Sequence, residues 1–503
     1  MKCIITIELG TNAVRIVAFD LNGTIIGNMK GHYPTFHPQP DYSEQDPEQL
    51  FITMLYVLKN LLNEKIYPQH YRVATICFSS SMHSLLAVDK NGTPLGNALT
   101  WSDSRAKKEM QDLKISGKAN DIYAATGMPL HPMSPMLKIA WMNNNDKERF
   151  AKTAKFLSIK SYIIHQLTGN YLLDYSLAGS TGMLNIDTVK WESDALAFAG
   201  IKQVDLPDLV PVFSEAGNIK KAYQNSLGLD DYTKILVGSS DGCLAALGSG
   251  IWNNDAATIT IEDSGAVRVM GGQKLYDEKK RVFNYLLTET CYVSGGPTNN
   301  GGLIFEWYAK QFGDFARAYD IERCMEDLYT EAAKVQPGSN GLLFLPYLLG
   351  ERAPIWNADA RGMYFGINIK HEKKHFIRAT IEGIMYEIFS IGKMLNAHKN
   401  ISTLSINGSF ATIPFCTQMI ADVFNKPVHI AQNTNGVSTG AFLLAATEMK
   451  IFKDLKEAAS TITLAPNFLP SENNNNTYMK CFNIFESLSS KLDNEFSLLA
   501  ELQ

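Results

Sequence analysis

The chain is poor in cysteine for its length. Only seven of its 503 residues are cysteines, an odd number, and no two of them have CxxC spacing. An even number of cysteines is typical of a disulfide framework, and pairs at CxxC spacing are typical of structural zinc sites. Their absence argues against both and indicates reduced thiols in a cytoplasmic protein.

Positive charge is not in excess either. Lysine and arginine number 46 against 51 aspartates and glutamates, and the net charge is -5. The sequence therefore lacks the basic footprint of a protein that binds nucleic acid. No apolar run is long enough to span a membrane, and the start of the chain has no signal-peptide pattern. We expect neither a nucleic-acid nor a membrane partner.

The Walker A sequence, GxxxxGK followed by Ser or Thr, is also missing, so the common phosphate-binding loop is excluded. What the chain does contain is an alternation of strand-like and amphipathic segments, which is typical of α/β domains. Its length exceeds what one core supports, and two large domains are expected. The four asparagines at 473–476 are interpreted as a polar loop before the last helix.

Two segments of the chain resemble each other. Cys3–Thr11 and Ala257–Gly265 are both β-branched runs that reach an acidic residue and then glycine. Each is followed by a second apolar run with a basic residue, Val14–Val17 and Ala266–Val269. A β-hairpin with a glycine-bearing turn fits both copies.

An internal duplication is the simplest interpretation of these copies. A boundary near Gly248–Gly250 divides the chain into predicted domains 1–249 and 250–503. Clefts between domains are common sites for small molecules, so the ligand is expected there.

The first hairpin has a composition that suits phosphate. Gly10 lets the backbone come close to an anion, and Thr11 and Asn12 offer donors. Glu8 could hold a metal ion directly or through water. An ordinary hairpin turn is the alternative, and from this segment alone it is the better interpretation.

Asp241 follows a buried strand and stands among small residues, in the segment Lys234–Gly242. A general base in a pocket is the functional interpretation, because the ligand side of an open α/β sheet is the carboxyl end of its strands. A helix N-cap is the structural alternative and the more common role.

Three further segments could line a pocket. Ser79–Ser84 contains His83 among serines, and Thr100–Arg105 offers stacking, an acceptor and a cation. Gly295–Gly302 is interpreted as a glycine-rich loop before a helix, whose exposed amides would favour phosphate. A structural histidine, a surface ion pair and a simple turn are the respective alternatives.

Together these pieces resemble the FGGY family of carbohydrate kinases over nearly the whole chain. Two long family signatures carry the resemblance, Met133–Asn145 and Gly362–Glu382. The resemblance implies an α/β fold of two actin-like (ribonuclease H-like) ATPase domains, with ATP, Mg²⁺ and a sugar in the interdomain cleft. It leaves the oligomeric state open, with a homodimer as the candidate.

Within that family the chain is most similar to the gluconate kinases. The supporting segments are Phe78–Ser84, Thr126–Met133, Asp174–Ala178, Gly295–Gly302 and Gly350–Asn357. D-gluconate is therefore the expected substrate and 6-phosphogluconate the product. Xylulose kinases share the Met-His pair and are the second candidate. Glycerol kinases carry Arg-Glu at that position, which disfavours glycerol.

The resemblance also implies roles for individual residues. Asp241 is the implied catalytic base and a substrate contact. The other implied substrate contacts are Met82, His83, Trp101 and Asp103. The implied nucleotide contacts are Gly10, Thr11, Asn12, Arg15, Ser264, Gly265, Gly302, Gly408 and Ser409, and the implied metal ligand is Glu8. Arg105 and Lys138 are the candidate cations for the substrate carboxylate.

Several positions depart from the family pattern. Glu8 replaces the usual Asp, Glu262-Asp263 replaces Gly-Thr in the second hairpin, and Ile413 replaces a polar residue. Two carboxylates beside a triphosphate weaken binding unless a cation intervenes. A homologue that binds sugar without efficient phosphoryl transfer is therefore the alternative to an active kinase.

Overall fold

The computed structural model describes residues 1–250, 252, 255–312, 321–431, 435–464, 468–500 and 502. The strands are β1 Lys2–Leu9, β2 Ala13–Asp20, β3 Ile25–His32, β4 Glu44–Gln45, β5 Arg72–Ser80, β6 Leu86–Val88, β7 Ala98–Leu99, β8 Lys155–Leu157, β9 Leu172–Asp174, β10 Leu184–Asn185, β11 Lys190–Trp191, β12 Asp208–Val210, β13 Lys234–Ser240, β14 Ala256–Ile261, β15 Gly265–Gly271, β16 Phe283–Thr288, β17 Cys291–Thr298, β18 Leu343–Leu345, β19 Met363–Phe365, β20 Thr403–Asn407 and β21 Val428–Ile430.

The helices are α1 Pro47–Leu61, α2 Lys107–Ile115, α3 Ala119–Thr126, α4 Pro135–Asn145, α5 Lys147–Lys152, α6 Ile159–Thr168, α7 Tyr175–Ser180, α8 Ser193–Ala199, α9 Lys221–Leu227, α10 Asp241–Leu247, α11 Gly302–Phe312, α12 Ile321–Ala333, α13 Lys373–Asn396, α14 Pro414–Phe424, α15 Gly436–Glu448, α16 Leu455–Ser460, α17 Glu472–Lys491 and α18 Asp493–Ala500. Among the described helices, none is long and apolar enough to cross a bilayer.

Each half of the chain is built on one central sheet. The first sheet has the order β13-β5-β1-β2-β3, and the second has the order β16-β17-β15-β14-β20-β21. Without β16, the second sheet repeats the first strand for strand, with the same antiparallel and parallel pairings. The predicted α/β fold and the duplicated hairpin are confirmed.

The two hairpins nevertheless differ in register. Glu8 pairs with Arg15 inside the first hairpin. In the second, Thr258 is the residue that pairs with Arg268, and the strands end at Ile261 and its partner, Gly265. Glu262 therefore lies in the turn, whereas its sequence counterpart, Glu8, lies within a strand.

The halves are joined by two crossing helices. α15 lies in the second half of the chain but packs on α10, β1 and β5 of the first. Glycines make the crossing close, because a Cβ at Gly440 would collide with the backbone of Leu244. Phe19 and Phe442 stack across the same junction with ring centres 4.9 Å apart. This shared core fixes the floor of the cleft.

Two local predictions were wrong. The asparagine run 473–476 is not a loop but lies in α17, where the capping Ser471 accepts from the amide of Asn474. The side chains of Asn474 and Asn475 also donate to Asp422 of α14, which offsets their poor helix propensity. Gly295 and the next residue lie in β17 rather than in a loop, since neighbouring strands and side chains leave no room for a Cβ.

Candidate active site

Asp241 is the first residue of α10 and directly follows β13. The N-cap of that helix is Ser240, whose hydroxyl accepts from the amide of Cys243 at 3.4 Å. The Asp241 carboxylate is therefore not the cap, which was the alternative to a catalytic role. Its Oδ1 accepts from the amide of Gly242 at 2.6 Å, and the residue stays partly open to solvent.

A buried network supports the backbone behind Asp241. Lys160 and Asp174 form a fully buried ion pair at 2.6 Å, and Lys160 also donates to the carbonyl of Ser239 at 3.2 Å. The Ser176 hydroxyl donates to Asp174 and accepts from the amide of Ser240 at 2.8 Å. A fully connected polar network of this kind holds the end of β13 in one conformation.

The surroundings of Asp241 make it a stronger base than a free carboxylate. Burial raises the pKa of Asp241, while the charges of Arg268, Arg352 and Lys160 and the Gly242 amide oppose that rise. A raised pKa suits a group that takes a proton from a sugar hydroxyl.

Met82 and Arg268 converge on Gly242, beside the carboxylate, from opposite halves of the chain. A Cβ at Gly242 would lie 2.8 Å from Met82 Cε and 3.1 Å from Arg268 Nε. The site predicted from the first half is therefore completed by β15 of the second.

His83 is buried in the wall next to Met82. Its Nδ1 donates to the carbonyl of Ser180 at 2.8 Å, and the hydroxyl of Tyr285 lies 3.4 Å from Nε2. Burial and the nearby Lys138 charge lower the pKa of His83 to about 3. The ring is thus neutral, with Nε2 as a hydrogen-bond acceptor.

Trp101 joins the sugar-side segment to the first hairpin. Its Nε1 donates to Thr11 Oγ1 at 2.8 Å. The guanidinium carbon of Arg352 lies 4.9 Å from the centre of the Trp101 ring, a cation–π contact between the halves. The structure therefore brings together Trp101 and Thr11, which are 90 residues apart in the sequence.

Asp103 lies beneath this wall and is completely buried. Its carboxylate accepts from the amide of Ser43 at 2.8 Å and pairs with Arg105 at 2.7 Å. Lys138 donates to the carbonyls of His83 and Thr100 at 2.9 and 2.6 Å. Direct contact with substrate would require the ion pair to open, so the sugar contact of Asp103 stays a prediction. Arg105 and Lys138 are both engaged elsewhere, which argues against them as carboxylate ligands.

The first hairpin carries the candidate phosphate and metal residues. Arg15 Nη1 donates to Glu8 Oε2 at 3.3 Å and to Asn435 Oδ1 of the second half at 3.0 Å. Burial raises the pKa of Glu8 to about 7, and Asp241 and Glu262 add to the rise. The turn is fixed from below by Tyr33, whose hydroxyl donates to the Gly10 carbonyl; Asn12, beside it, is exposed.

The donor set fits magnesium only as a hydrated ion. Among the residues that the structure describes, no group of three or more His, Cys, Asp or Glu side chains could hold a metal ion. Mg²⁺ keeps most of its ligands as water and substrate phosphate and needs one or two carboxylates. Glu8 alone is therefore a sufficient protein ligand.

The second hairpin uses its main chain internally. The amide of Gly302 donates to the carbonyl of Glu262 at 2.7 Å, and the amides of Gly301 and Leu303 donate to that of Asp263 at 3.2 Å. The first amides of α11 are thus satisfied within the protein, not free as the sequence had suggested. Ser264 lies in the same turn, between Asp263 and Gly265.

Packing also explains two of the predicted glycines. A Cβ at Gly265 would lie 2.7 Å from Ile388 Cδ1. Gly408 has φ +91°, and a Cβ there would collide with the Ile261 carbonyl. Both positions need glycine for reasons that do not involve a ligand. Their contact with nucleotide stays a prediction, as does that of Ser409, which donates to the Ile261 carbonyl at 3.3 Å.

A cavity of about 750 Å³ opens beside Gly408. It is lined by Asn22–Ile25 of the first half and by Asn407, Ala411, Thr412 and Asn435 of the second. This volume is within the range of small-molecule sites, and the walls are mixed polar and apolar. The cavity therefore fits a nucleoside, next to the Arg15–Asn435 contact.

Sequence reasoning missed two arginines and one tyrosine. Arg268, Tyr285 and Arg352 come from the second half, and their charges or rings reach Asp241 and His83. A signal for Arg268 existed, since it is the basic residue in the second run of one hairpin, as Arg15 is in the other. Arg352 lies in Gly350–Asn357, one of the segments that resemble the gluconate kinases, but no role was assigned to it from the sequence.

Family models match both halves of the chain. The N-terminal domain model of the FGGY family of carbohydrate kinases matches residues 3–248, and the C-terminal domain model matches residues 257–449. The chain belongs to the FGGY family. An FGGY protein of this kind is a sugar kinase, a phosphotransferase with two actin-like domains, and it uses ATP.

Relatives of this FGGY protein include enzymes for two different sugars. The gluconokinase of Bacillus subtilis is 34% identical over 99% of this chain and 97% of its own, and the xylulose kinase of Staphylococcus xylosus is 28% identical over 97% and 100%. Among solved structures, a ligand-bound xylulose kinase and a gluconate kinase, both from Lactobacillus acidophilus, superpose with TM-scores of 0.93 and 0.92. They are 33% and 32% identical, cover 99% of this chain, and are covered over 100% and 99% of their own lengths.

Proposed function

We propose that this kinase transfers the γ-phosphoryl group of ATP to O6 of D-gluconate, forming 6-phosphogluconate. The charge of the sugar pocket carries the choice of an acid. Arg268 and Arg352 both act on Asp241. Two buried carboxylates behind the pocket, Asp103 and Asp174, are already paired with cations. An anionic substrate gains from such a field and a neutral ketose does not.

The proposed reaction begins at the substrate hydroxyl. Asp241 accepts the proton of the O6 hydroxyl as O6 attacks the γ-phosphorus, the bond to the β–γ bridging oxygen breaks, and ADP leaves. Such a transfer depends on alignment and on neutralisation of the phosphate charge. The neutral His83 would accept a hydrogen bond from a sugar hydroxyl and so orient the carbon chain of the sugar.

The nucleotide would lie across the second half, with its base in the cavity beside Gly408 and its phosphates toward the first hairpin. Glu8 would hold a hydrated Mg²⁺, which neutralises phosphate charge when bound. Arg15, which donates to both Glu8 and Asn435, would face the phosphates. These assignments agree with the contacts of Thr11 and Arg15 around the cleft.

Xylulose is the second candidate substrate, because a xylulose kinase matches this chain as well as a gluconate kinase does. The Met82-His83 pair suits either sugar. A charge preference separates them, since only gluconate carries a carboxylate.

A coupled ADP-release assay tests the proposed function. D-gluconate, D-xylulose, glycerol and a small set of other sugar acids would be compared at saturating ATP, with Mg²⁺ or Mn²⁺. A higher kcat/KM for D-gluconate is expected, and a clear preference for D-xylulose would refute the proposal. No ADP release with any sugar, together with tight sugar binding, would favour the impaired homologue.

A further inference from the structure

Two buried side-chain donors have no hydrogen-bond partner among the described residues. His131 Nε2 and Arg352 Nε are buried and make no hydrogen bond to any described part of the chain. The two residues are only 7% and 6% exposed. A buried donor without a partner costs stability, and each such group in a native protein needs an explanation.

The contacts of His131 fix which of its nitrogens carries the proton. Nδ1 accepts from the amide of Met133 at 3.2 Å, so the proton is on Nε2. Burial and the Arg352 charge lower the pKa of His131 well below its ordinary value, and the ring is neutral. Trp356 packs on the ring edge-on with centres 5.7 Å apart. His131 therefore presents one fixed N–H donor.

Arg352 is held in place without an ion pair to any residue that the structure describes. Its Nη2 donates to the carbonyl of Thr298 at 2.8 Å, and its guanidinium lies over Trp101. The neighbouring carboxylate, Glu351, accepts instead from Thr298, from Asn300 and from main-chain amides. The Arg352 charge is therefore available to a ligand.

Trp356 ties the two donors to each other. Its ring packs on His131, and its amide donates to the carbonyl of Arg352. A six-carbon chain with O6 at Asp241 would run past His83 toward these donors.

We propose that His131 and Arg352 form the carboxylate subsite of the sugar-acid pocket. Nε2–H of His131 and Nε–H of Arg352 each donate to the carboxylate, and the Trp101 ring covers the carbon chain beside it. This inference rests on the proposed function, because a neutral ketose has no charge for Arg352 to bind. It also gives His131, within the gluconate-kinase-like segment Thr126–Met133, a reason to be histidine.

The test compares two ligands of equal chain length. D-glucitol matches D-gluconate except that a hydroxymethyl group replaces the carboxylate. Their dissociation constants would be measured by calorimetry for wild type, Arg352→Gln, Arg352→Lys and His131→Phe. Lys393→Gln is the control, since it removes a positive charge from the same half at an exposed ion pair with Glu486.

Arg352→Gln is expected to weaken D-gluconate binding by about 100-fold and to leave D-glucitol binding within a few-fold. His131→Phe should weaken D-gluconate binding by about tenfold, and Lys393→Gln should change the binding of neither ligand. Arg352→Lys, which keeps the charge but loses the Nε–H, should fall between wild type and Arg352→Gln. If Arg352→Gln does not fold, Arg352→Lys and His131→Phe decide.

The outcomes separate this inference from the proposed function. A wild type that prefers D-gluconate, with folded variants that bind it equally well, overturns the subsite alone. A wild type that phosphorylates D-xylulose and not D-gluconate overturns both. Loss of D-gluconate binding with retained D-glucitol binding supports the subsite.

Discussion

Replacing Asp241 with Asn removes the proposed base and almost nothing else. Asn is nearly the same size, and its Oδ1 can still accept from the Gly242 amide. A general base contributes about 10²–10⁴-fold to the rate, so kcat is expected to fall by that factor. Ser240 remains to cap α10, and the fold should be retained.

The effect on binding has the opposite sign. In wild type the Asp241 carboxylate offsets part of the charge of Arg268 and Arg352. Without it, an anionic sugar meets a more positive pocket, and its dissociation constant should stay the same or fall. A base therefore predicts a large loss in kcat with no loss of sugar affinity.

A purely structural Asp241 predicts a different result. An acidic residue in the first turn of a helix contributes about 0.3–1 kcal/mol through the helix dipole, so only stability would change. Steady-state kinetics, sugar calorimetry and thermal melts would be combined, with Ser240→Ala as a variant expected to lose about 1 kcal/mol of stability through its cap. An Asp241→Asn enzyme with kcat within a few-fold of wild type would refute the assignment of the base.

Three further perturbations test other parts of the molecule. Changing Glu262→Gly together with Asp263→Thr should tighten ATP binding without Mg²⁺ by about 1 kcal/mol, measured by calorimetry, and unchanged affinity would mean that these side chains point away from the phosphates. Sugar and a non-hydrolysable nucleotide together should reduce the radius of gyration in small-angle scattering, since contacts such as Arg15–Asn435 bridge the halves; an unchanged radius with both ligands bound would count against closure. Burial lowers the pKa of Lys138 to about 7, so the unfolded chain binds more protons than the folded chain between pH 7 and about 10, and the stability of the fold should rise with pH in that range. Thermal melts of Lys138→Met should lose that rise. A pH profile identical to that of wild type would contradict the assignment.

The α/β class and the hairpins were accessible from the sequence because they rest on local patterns. β1 is buried on both faces, and such a strand is a continuous β-branched run that can be recognised without a partner. Asp241 was accessible for a similar reason, since it ends a buried strand. Gly295 misled because a glycine forced by packing inside a strand looks the same in sequence as a glycine in a loop.

The proximity of His131 and Arg352 could not be derived in the same way. His131 and Arg352 are 221 positions apart in the sequence, and only the docking of the two halves brings them together. Their importance lies in one nitrogen of each that has no hydrogen-bond partner among the described residues, and that is a property of the fold. Likewise the sequence left open whether Arg105 meets the substrate or forms an ion pair, and the structure pairs it with Asp103 and Glu44.

The contacts of the second hairpin change the interpretation of its departures from the family pattern. The carbonyls of Glu262 and Asp263 accept the first amides of α11, so this turn is built as an acceptor of helix amides. The Glu262 carboxylate accepts from Ser409 and lies within the field of Arg15, which lowers the pKa of Glu262 against the rise that burial causes. Part of the negative charge of this turn is therefore already balanced within the protein. The remainder, together with Glu8, would favour a divalent cation between the hairpins. We therefore expect the acidic turn to make nucleotide binding depend on metal rather than to abolish it.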